Sequence, residues 1–322
     1  MLEILIDNRN GKVWDITSIV PSLTYKTKRI GSASSLSLTL IKGSLFQSDE
    51  FTVNSGDVIR VMKDGTGVFY GYVFEIDSGM DESVSITAYD QIRYLLANDS
   101  YVFKNNTASE IVKKIADDFE LRLGTISDTG YKIPSMAEKD KKLLDIICKA
   151  LDLTLINEGG NFFLYDNFGK LSLRNIKEMK LDIVVGDWSL MDDYGYKRSI
   201  DSDTYNHIKV FQDNKKTGKR DIHVGQDSAN IAKWGRLQLY QQADEKMNEA
   251  QIKTLVDQLL TLKNREQRTL SIDAIGDLRV RAGCYIPVVI QELDISQYFL
   301  VEDCTHKFDA DTHTMSLELR VI

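Results

Sequence analysis

Histidines, cysteines and paired carboxylates carry most enzyme chemistry, and in this chain none of them falls into a spacing that performs it. His306 and His313 flank a polar turn at Asp309, Ala310 and Asp311. A zinc site takes four ligands, usually Cys and His; two imidazoles at a turn fall short of that and read as solvated turn histidines. His207 and His223 lie in alternating, strand-like runs. The three cysteines, Cys148, Cys284 and Cys304, are odd in number, far apart and in no CxxC spacing, which excludes a disulfide framework or zinc ribbon. Cys148 falls on an apolar helical face and reads as a small core hydrophobe. Asp192 and Asp193, or Asp201 and Asp203, could supply the carboxylates of a hydrolase, but that chemistry needs a fixed separation across a cleft, and acidic turns are the simpler reading. There is no GxSxG, HExxH, phosphate-binding loop or dinucleotide fingerprint; Gly159-Gly160 reads as a hairpin turn. No catalytic, cofactor-binding or metal-ligating residue is assigned, and the chain reads as a non-enzyme.

Composition narrows the partners. The 322 residues are 43% hydrophobic and 27% charged, with a formal net charge of −8. A protein that grips nucleic acid carries a basic footprint; here the longest basic stretch, residues 215–220, is broken by Thr217 and Gly218 and reads as a solvated hairpin tip. No apolar run approaches the 18 or more residues of a membrane span. The opening residues lack a basic region, and Glu3 and Asp7 interrupt their apolar run, so no signal peptide is expected. The expectation is synthesis and folding in a cytoplasm, with no membrane and no sequence-specific nucleic acid as partner.

The elements that would position any site come in three blocks. In residues 1–100 apolar and polar residues alternate, as at Leu36, Leu38 and Leu40, with turn signals at Gly56 and Asp64-Gly65; short strands of this kind predict an antiparallel β-barrel. At Thr107 the period changes. Thr107 with Glu110 forms a capping box, and Ile111, Val112, Ile115, Ala116 and Phe119 share one helical face. A second helix through Leu143, Leu144, Ile147, Cys148 and Leu151 is followed by a predicted hairpin of 153–156 and 162–165, so residues 101–180 read as a small α+β domain. Residues 181–322 return to strands and form a second barrel, with one long helix at about 248–263.

The two strand blocks echo each other. Leu36-Ser37-Leu38-Thr39 matches Leu270-Ser271-Ile272-Asp273. Gly56-Asp57-Val58-Ile59 matches Gly283-Cys284-Tyr285-Ile286. Tyr72-Val73-Phe74-Glu75 matches Phe299-Leu300-Val301-Glu302, and Val84-Ser85-Ile86-Thr87 matches Met315-Ser316-Leu317-Glu318. Order and spacing agree as well as polarity, which points to duplication rather than to two unrelated β segments. The fold class is α+β, mainly β, with two similar antiparallel barrels flanking a small α+β domain.

Several segments resemble the XkdQ/YqbQ-type tail proteins of Gram-positive phages, defective prophages and phage-tail-like bacteriocins, over essentially the whole length. They include Phe69-Tyr70-Gly71-Tyr72, Ile86-Thr87-Ala88-Tyr89-Asp90-Gln91-Ile92-Arg93-Tyr94-Leu95 and Asp99-Ser100-Tyr101-Val102-Phe103. The most specific are Asp227-Ser228-Ala229-Asn230-Ile231-Ala232-Lys233-Trp234-Gly235 and Gly276-Asp277-Leu278-Arg279-Val280-Arg281-Ala282-Gly283. More distantly the chain is similar to the late-control protein D hubs of contractile tails and to type VI secretion spike hubs. The resemblance implies a structural baseplate hub: a homotrimer whose six barrels make a pseudo-sixfold ring joining the tail tube, or a tube-initiator protein, to a central spike and other baseplate proteins. It implies no cofactor and a place in a virion or phage-tail-like particle made in bacterial cytoplasm. A tail-associated cell-wall hydrolase and a carbohydrate-binding adhesion module are the rival readings. Obligate interfaces centre on aromatic anchors; the candidates are Trp188, Tyr194, Tyr196, Trp234 and Tyr240, although Tyr and Trp equally fill a chain's own core.

Overall fold

Alternation along the first ninety residues becomes seven strands: β1 (Leu2–Asp7), β2 (Val13–Asp15), β3 (Ser22–Lys28), β4 (Ser35–Ile41), β5 (Val58–Lys63), β6 (Thr66–Ser78) and β7 (Ser83–Tyr89). In the computed structural model Leu36, Leu38 and Leu40 of β4 lie opposite Ala88, Ile86 and Val84 of β7, and all six are buried. The period-2 pattern thus puts both strands' apolar residues on one face. Asp64 and Gly65, at φ +52° and +77°, make the two-residue turn between β5 and β6, the backbone that a tight hairpin requires. The structure describes the chain apart from residues 42, 44–47, 49, 81, 158, 215–218, 246, 310–311 and 321–322.

After a 3-10 turn at Gln91–Leu96 the chain forms β8 (Asn98–Thr107), α1 (Ala108–Asp118), β9 (Leu123–Ile126), β10 (Lys132–Lys142), α2 (Leu143–Ile156), β11 (Phe162–Asp166) and β12 (Leu171–Asn175). Thr107 and Glu110 make both hydrogen bonds of the capping box. The predicted strand at 153–156 is instead the last turn of α2. Thr154 is fully buried and its hydroxyl donates to Ala150 O at 2.9 Å, a bond available only while the helix continues. A segment of only four residues fits either period, and packing decides it. Strand β11 therefore pairs with β12. All five of its residues are buried because its two faces enter different cores. Phe162 and Leu164 join α1 and α2, whereas Phe163 and Tyr165 pack with Ile176, Met179, Cys284 and Leu300.

The chain continues through β13 (Val185–Gly186) and β14 (Met191–Ser199) into β15 (His207–Asn214), β16 (Lys219–Gln226), α3 (Ser228–Trp234), β17 (Gln238–Gln242) and α4 (Glu249–Lys263). It returns through β18 (Gln267–Ile275) to β19 (Tyr285–Ile290), β20 (Ile295–Asp309) and β21 (Thr312–Arg320). Two compact units result: Met1–Gly195 with Ser271–Arg320, and Tyr196–Leu270. In the second unit a three-stranded sheet, β16-β15-β17, packs Ile208 and Val210 against Ile252, Val256 and Leu259 of α4. The basic stretch 215–220 falls partly outside the described residues; its Arg220 sits on β16 and pairs with Asp213 at 2.7 Å. Among the described residues no helix is long and apolar enough to cross a membrane.

The strands of the N- and C-terminal blocks belong to one 13-stranded sheet, whose main path runs β14-β18-β21-β20-β3-β4-β7-β6-β5-β1-β2, with β19 on β20 and β13 on β19. His306 and His313 are not solvated turn residues. The strands extend to Asp309 and Thr312, which carries both imidazoles into the sheet and leaves His306 only 1% exposed.

Candidate assembly surfaces

The echoed blocks share a pairing order as well as a pattern, apart from the last step, where β1 lies antiparallel to β5 but the two-residue β13 lies parallel to β19. The N-terminal block pairs in the order β3-β4-β7-β6-β5-β1 and the C-terminal block in the order β14-β18-β21-β20-β19-β13. Gly56 N donates to Val73 O at 2.8 Å and Val73 N to Asp57 O at 2.9 Å. Gly283 N donates to Val301 O at 2.8 Å and Val301 N to Cys284 O at 2.9 Å. Both glycines are left-handed, at φ +90° and +89°. In each block the register slips at the next step, between Val73 and Glu75 on β6 and between Val301 and Asp303 on β20. A bulge twists and bends its strand, so both hairpins turn at the same place. These bonds align Val73 with Val301, one residue beyond the Val73–Leu300 match made on sequence, because Phe299, Leu300 and Val301 are consecutive buried residues whose unbroken apolar run carries no alternation to fix the register.

The blocks meet edge to edge. Residues 303–309 of β20 pair antiparallel with residues 22–28 of β3. Arg29 clamps Glu302 through Nε (2.8 Å) and Nη2 (3.1 Å). Lys28 and Lys26 reach Asp303 at 3.3 and 3.9 Å. The joint is thus a basic strand on an acidic one, and its Arg–carboxylate fork fixes direction as well as strength.

The specific segment 276–283 lies beside that joint, and its residues have structural work. Asp277 is held by Arg279 Nη2 at 2.6 Å. Ala282 N donates to Thr27 Oγ1 at 3.0 Å. The Arg281 guanidinium lies 4.2 Å from the Tyr165 ring centroid and donates to Asp166 O at 3.2 Å. Segment 227–235 is similarly structural: Asp227 caps α3 by accepting Asn230 N at 3.0 Å, and Asn264 Nδ2 donates to its other oxygen at 2.7 Å.

Beneath Arg281 lies a buried polar knot. The Gln91 amide donates to Arg122 O (3.1 Å) and Asp166 Oδ2 (2.9 Å) and accepts Arg122 N (3.1 Å). Asp90 accepts Ser34 N and Ile92 N, each at 3.0 Å. Burial, and then the Asp166 charge, push Asp90 up to about 7; burial also raises Asp166. A raised carboxyl stabilises the fold fully below the unfolded value near 3.8, and that contribution is lost as pH rises to about 7. Asp90→Asn is therefore expected to gain on the parent by roughly 2–4 kcal/mol between pH 4.5 and pH 7.5. Urea denaturation at the two pH values measures this, and an unchanged difference would contradict the shift.

The histidine row is similarly closed. Lys63 Nζ lies 3.1 Å from His313 Nδ1, His313 Nε2 lies 3.1 Å from His306 Nδ1, and His306 Nε2 lies 2.8 Å from Val280 O. Read in that direction, each group donates to the next with both imidazoles neutral. Their basicity agrees: burial lowers His306, and burial with the neighbouring His306 and Lys63 lowers His313 to about 4. Both ring lone pairs are occupied. Burial also pushes the Cys304 thiol far up, which keeps it protonated and unreactive. This cluster packs the sheet rather than presenting a nucleophile or ligand set.

The five aromatic candidates are dispersed. Trp188, at φ +61°, projects from the turn before β14 and is 96% exposed. Tyr194 on β14 donates its hydroxyl to Glu292 at 2.7 Å. Asp187 accepts Gln291 N at 2.7 Å, so the Trp188 turn and Tyr194 are tied to the same 3-10 turn, Gln291–Leu293. Tyr196, Trp234 and Tyr240 belong to the second unit. There Tyr240 stacks on Phe211 at 4.7 Å and accepts Arg220 Nη1 at 3.1 Å. Asp192 and Asp193, read as an acidic turn, are exposed residues of β14.

Sequence reasoning missed one surface, the outer face of β6. Phe168, Tyr70, Tyr72, Tyr94, Phe74 and Tyr89 form a chain of ring contacts with centroids 5.5–5.8 Å apart, and 6.2 Å between Tyr70 and Tyr72. Arg9, Arg93 and Arg122 lie over these rings. Its signal was present: Tyr70, Tyr72 and Phe74 alternate with the core residues Phe69, Gly71 and Val73.

Comparison with known proteins bears on this geometry. The model of a family described as YQBQ-like matches residues 23–320. The chain is 32% identical over 272 residues to YqbQ of Bacillus subtilis (strain 168), across 84% of this chain and 82% of that one. It is 29% identical over 306 residues to the phage-like element PBSX protein XkdQ of the same organism, across 94% and 92%. In fold it is similar to the 43 kDa tail protein of prophage MuSo2 from Shewanella oneidensis, with TM-score 0.72 and 13% identity over 98% of each chain. The mainly β, α+β fold expected of a tail protein is the fold found.

Proposed function

This chain belongs to the YQBQ-like family, and from that premise we propose that it is a structural hub subunit of a phage or phage-tail-like baseplate. Three copies would form a ring of sixfold pseudo-symmetry between a tail tube, or its initiator, and a central spike. The observation that carries this reading is the repeated pairing order, with its paired glycines and bulges. Two equivalent modules per chain let a threefold object match a sixfold tube, and a closed ring removes exposed sheet edges. The names of the relatives agree in kind: one is a phage-like element protein and the structural neighbour a prophage tail protein. The proposal keeps the three-part division, with a β module to residue 100, an α+β part to 180 and a second β module to 322. It keeps Trp188 and Tyr194 as interface anchors, with Tyr196, Trp234 and Tyr240 as further candidates, and a non-catalytic role in the particle.

Deleting the chain from a producing strain tests the role. The expected result is no complete tails, restored by a plasmid copy, with no clearing of a peptidoglycan gel by the purified protein. Normal tails without the chain, or clearing that persists through purification, would overturn it. A second reading, carbohydrate-binding adhesion, draws on the aromatic and arginine face of β6; glycan-array binding abolished by Tyr72→Ala would favour it.

A further inference from the structure

The joint inside the chain leaves one counterpart of each of its edges free. In the pairing orders β3 corresponds to β14 and β20 to β6. Strand β14 pairs with β18 on one side and ends the sheet, so its other edge has no strand among the described residues. Pairing of β6 with β5 stops at Tyr72, and the Gly56 and Asp57 backbone takes Val73. Beyond that point no described strand lies on the side where, in β20, the chain places β3. A row of unpaired backbone groups is a template for another strand.

Charge runs the same way at the free edges as at the closed joint. Inside the chain, Lys26, Lys28 and Arg29 meet Glu302 and Asp303. Strand β14 ends in Lys197 and Arg198, and the free part of β6 carries Glu75 and Asp77; all four are exposed. By the bulge alignment Glu75 stands where Asp303 does. Two β6 edges would repel, whereas the Lys197–Arg198 end of β14, which has Asp192 and Asp193 at its opposite end, meets the free part of β6 as basic on acidic.

We propose that β14 of one copy adds antiparallel to the free edge of β6 in a second copy, repeating between chains the β3–β20 joint within the chain. Such a contact is head-to-tail, so it propagates and closes into a ring when its rotation allows. Every joint, within and between chains, is then of one kind, and the partner is another copy of this chain. The inference rests on the ring reading above but can fail separately from it.

Charge exchange in the producing strain tests it, with particle yield as the readout and the melting temperature of each purified variant as the control for folding. Glu75→Lys with Asp77→Lys is expected to lower yield at least tenfold, and Lys197→Glu with Arg198→Glu to do the same, since like charges across an interface cost several kcal/mol. The latter leaves Glu266 to Arg268, 3.7 Å away. All four changes together restore the attraction with its sign reversed, and yield recovers to within about threefold of the parent. Normal yield from either pair of changes, or a fourfold variant no better than its parents although all melt like the wild type, would overturn the joint. Either result leaves the ring reading standing as long as deletion of the chain abolishes tails.

Discussion

Gly283→Ala is expected to destabilise the protein by about 2–6 kcal/mol, and its counterpart Gly56→Ala by only about 1–3 kcal/mol. The two share one backbone conformation and one pair of hydrogen bonds, so left-handed strain of about 1–3 kcal/mol applies to both. They differ in what a Cβ would meet. At Gly56 nothing lies within 4 Å, whereas at Gly283 the Phe163 ring is 2.2 Å away. Overpacking of that kind adds about 1–3 kcal/mol. Phe163→Ala removes the obstacle at its own cost of about 3–5 kcal/mol. The double variant should therefore be more stable than the sum of the single losses by about 1–3 kcal/mol. Chemical denaturation of the four proteins measures this. Equal losses at the two glycines would show that Phe163 does not dock on Gly283.

Gln91→Leu is the second large effect, an expected loss of about 2–4 kcal/mol. The side chain is 4% exposed and its amide makes three hydrogen bonds. Leucine fills the space but orphans Arg122 N and one Asp166 oxygen. Arg122 O keeps its bond from Leu171 N at 2.8 Å, which limits the damage to two groups. A buried group left without its partner costs about 1–3 kcal/mol. Gln91→Glu separates hydrogen bonding from charge: it still accepts Arg122 N but sets a third carboxyl beside Asp166 and Asp90. It should resemble the parent most at pH 4.5 and fall furthest behind at pH 8. A Gln91→Leu protein with parental stability would mean that the knot does not bind the blocks together.

What was legible follows from range. Strands β4 and β7 announce themselves because alternate residues face one core, and the Thr107–Glu110 box because its bonds span three residues. The paired glycines could be read too, since a left-handed position excludes most other residues. The end of α2 could not: Leu153 to Ile156 alternate like a strand, and only the buried Thr154 hydroxyl reveals the helix. His306 looked solvated because a turn stands three residues away, yet the β3–β20 joint, 277 residues apart at Thr27 and Cys304, sets its burial. The same distance hid the joint itself. Of the five aromatic candidates, nearness in sequence gathered residues that the fold assigns to two units, while the β6 face went unnoticed although Tyr70, Tyr72 and Phe74 sit at strand spacing.

Counting chains in the intact particle tests the central claim most directly. Electron cryo-microscopy of purified tails should find three copies of this chain in one ring at the end of a sixfold tube, with the β3–β7 and β18–β21 modules at the same radius and alternating around the axis. Six copies per ring, or two modules at different radii, would contradict it.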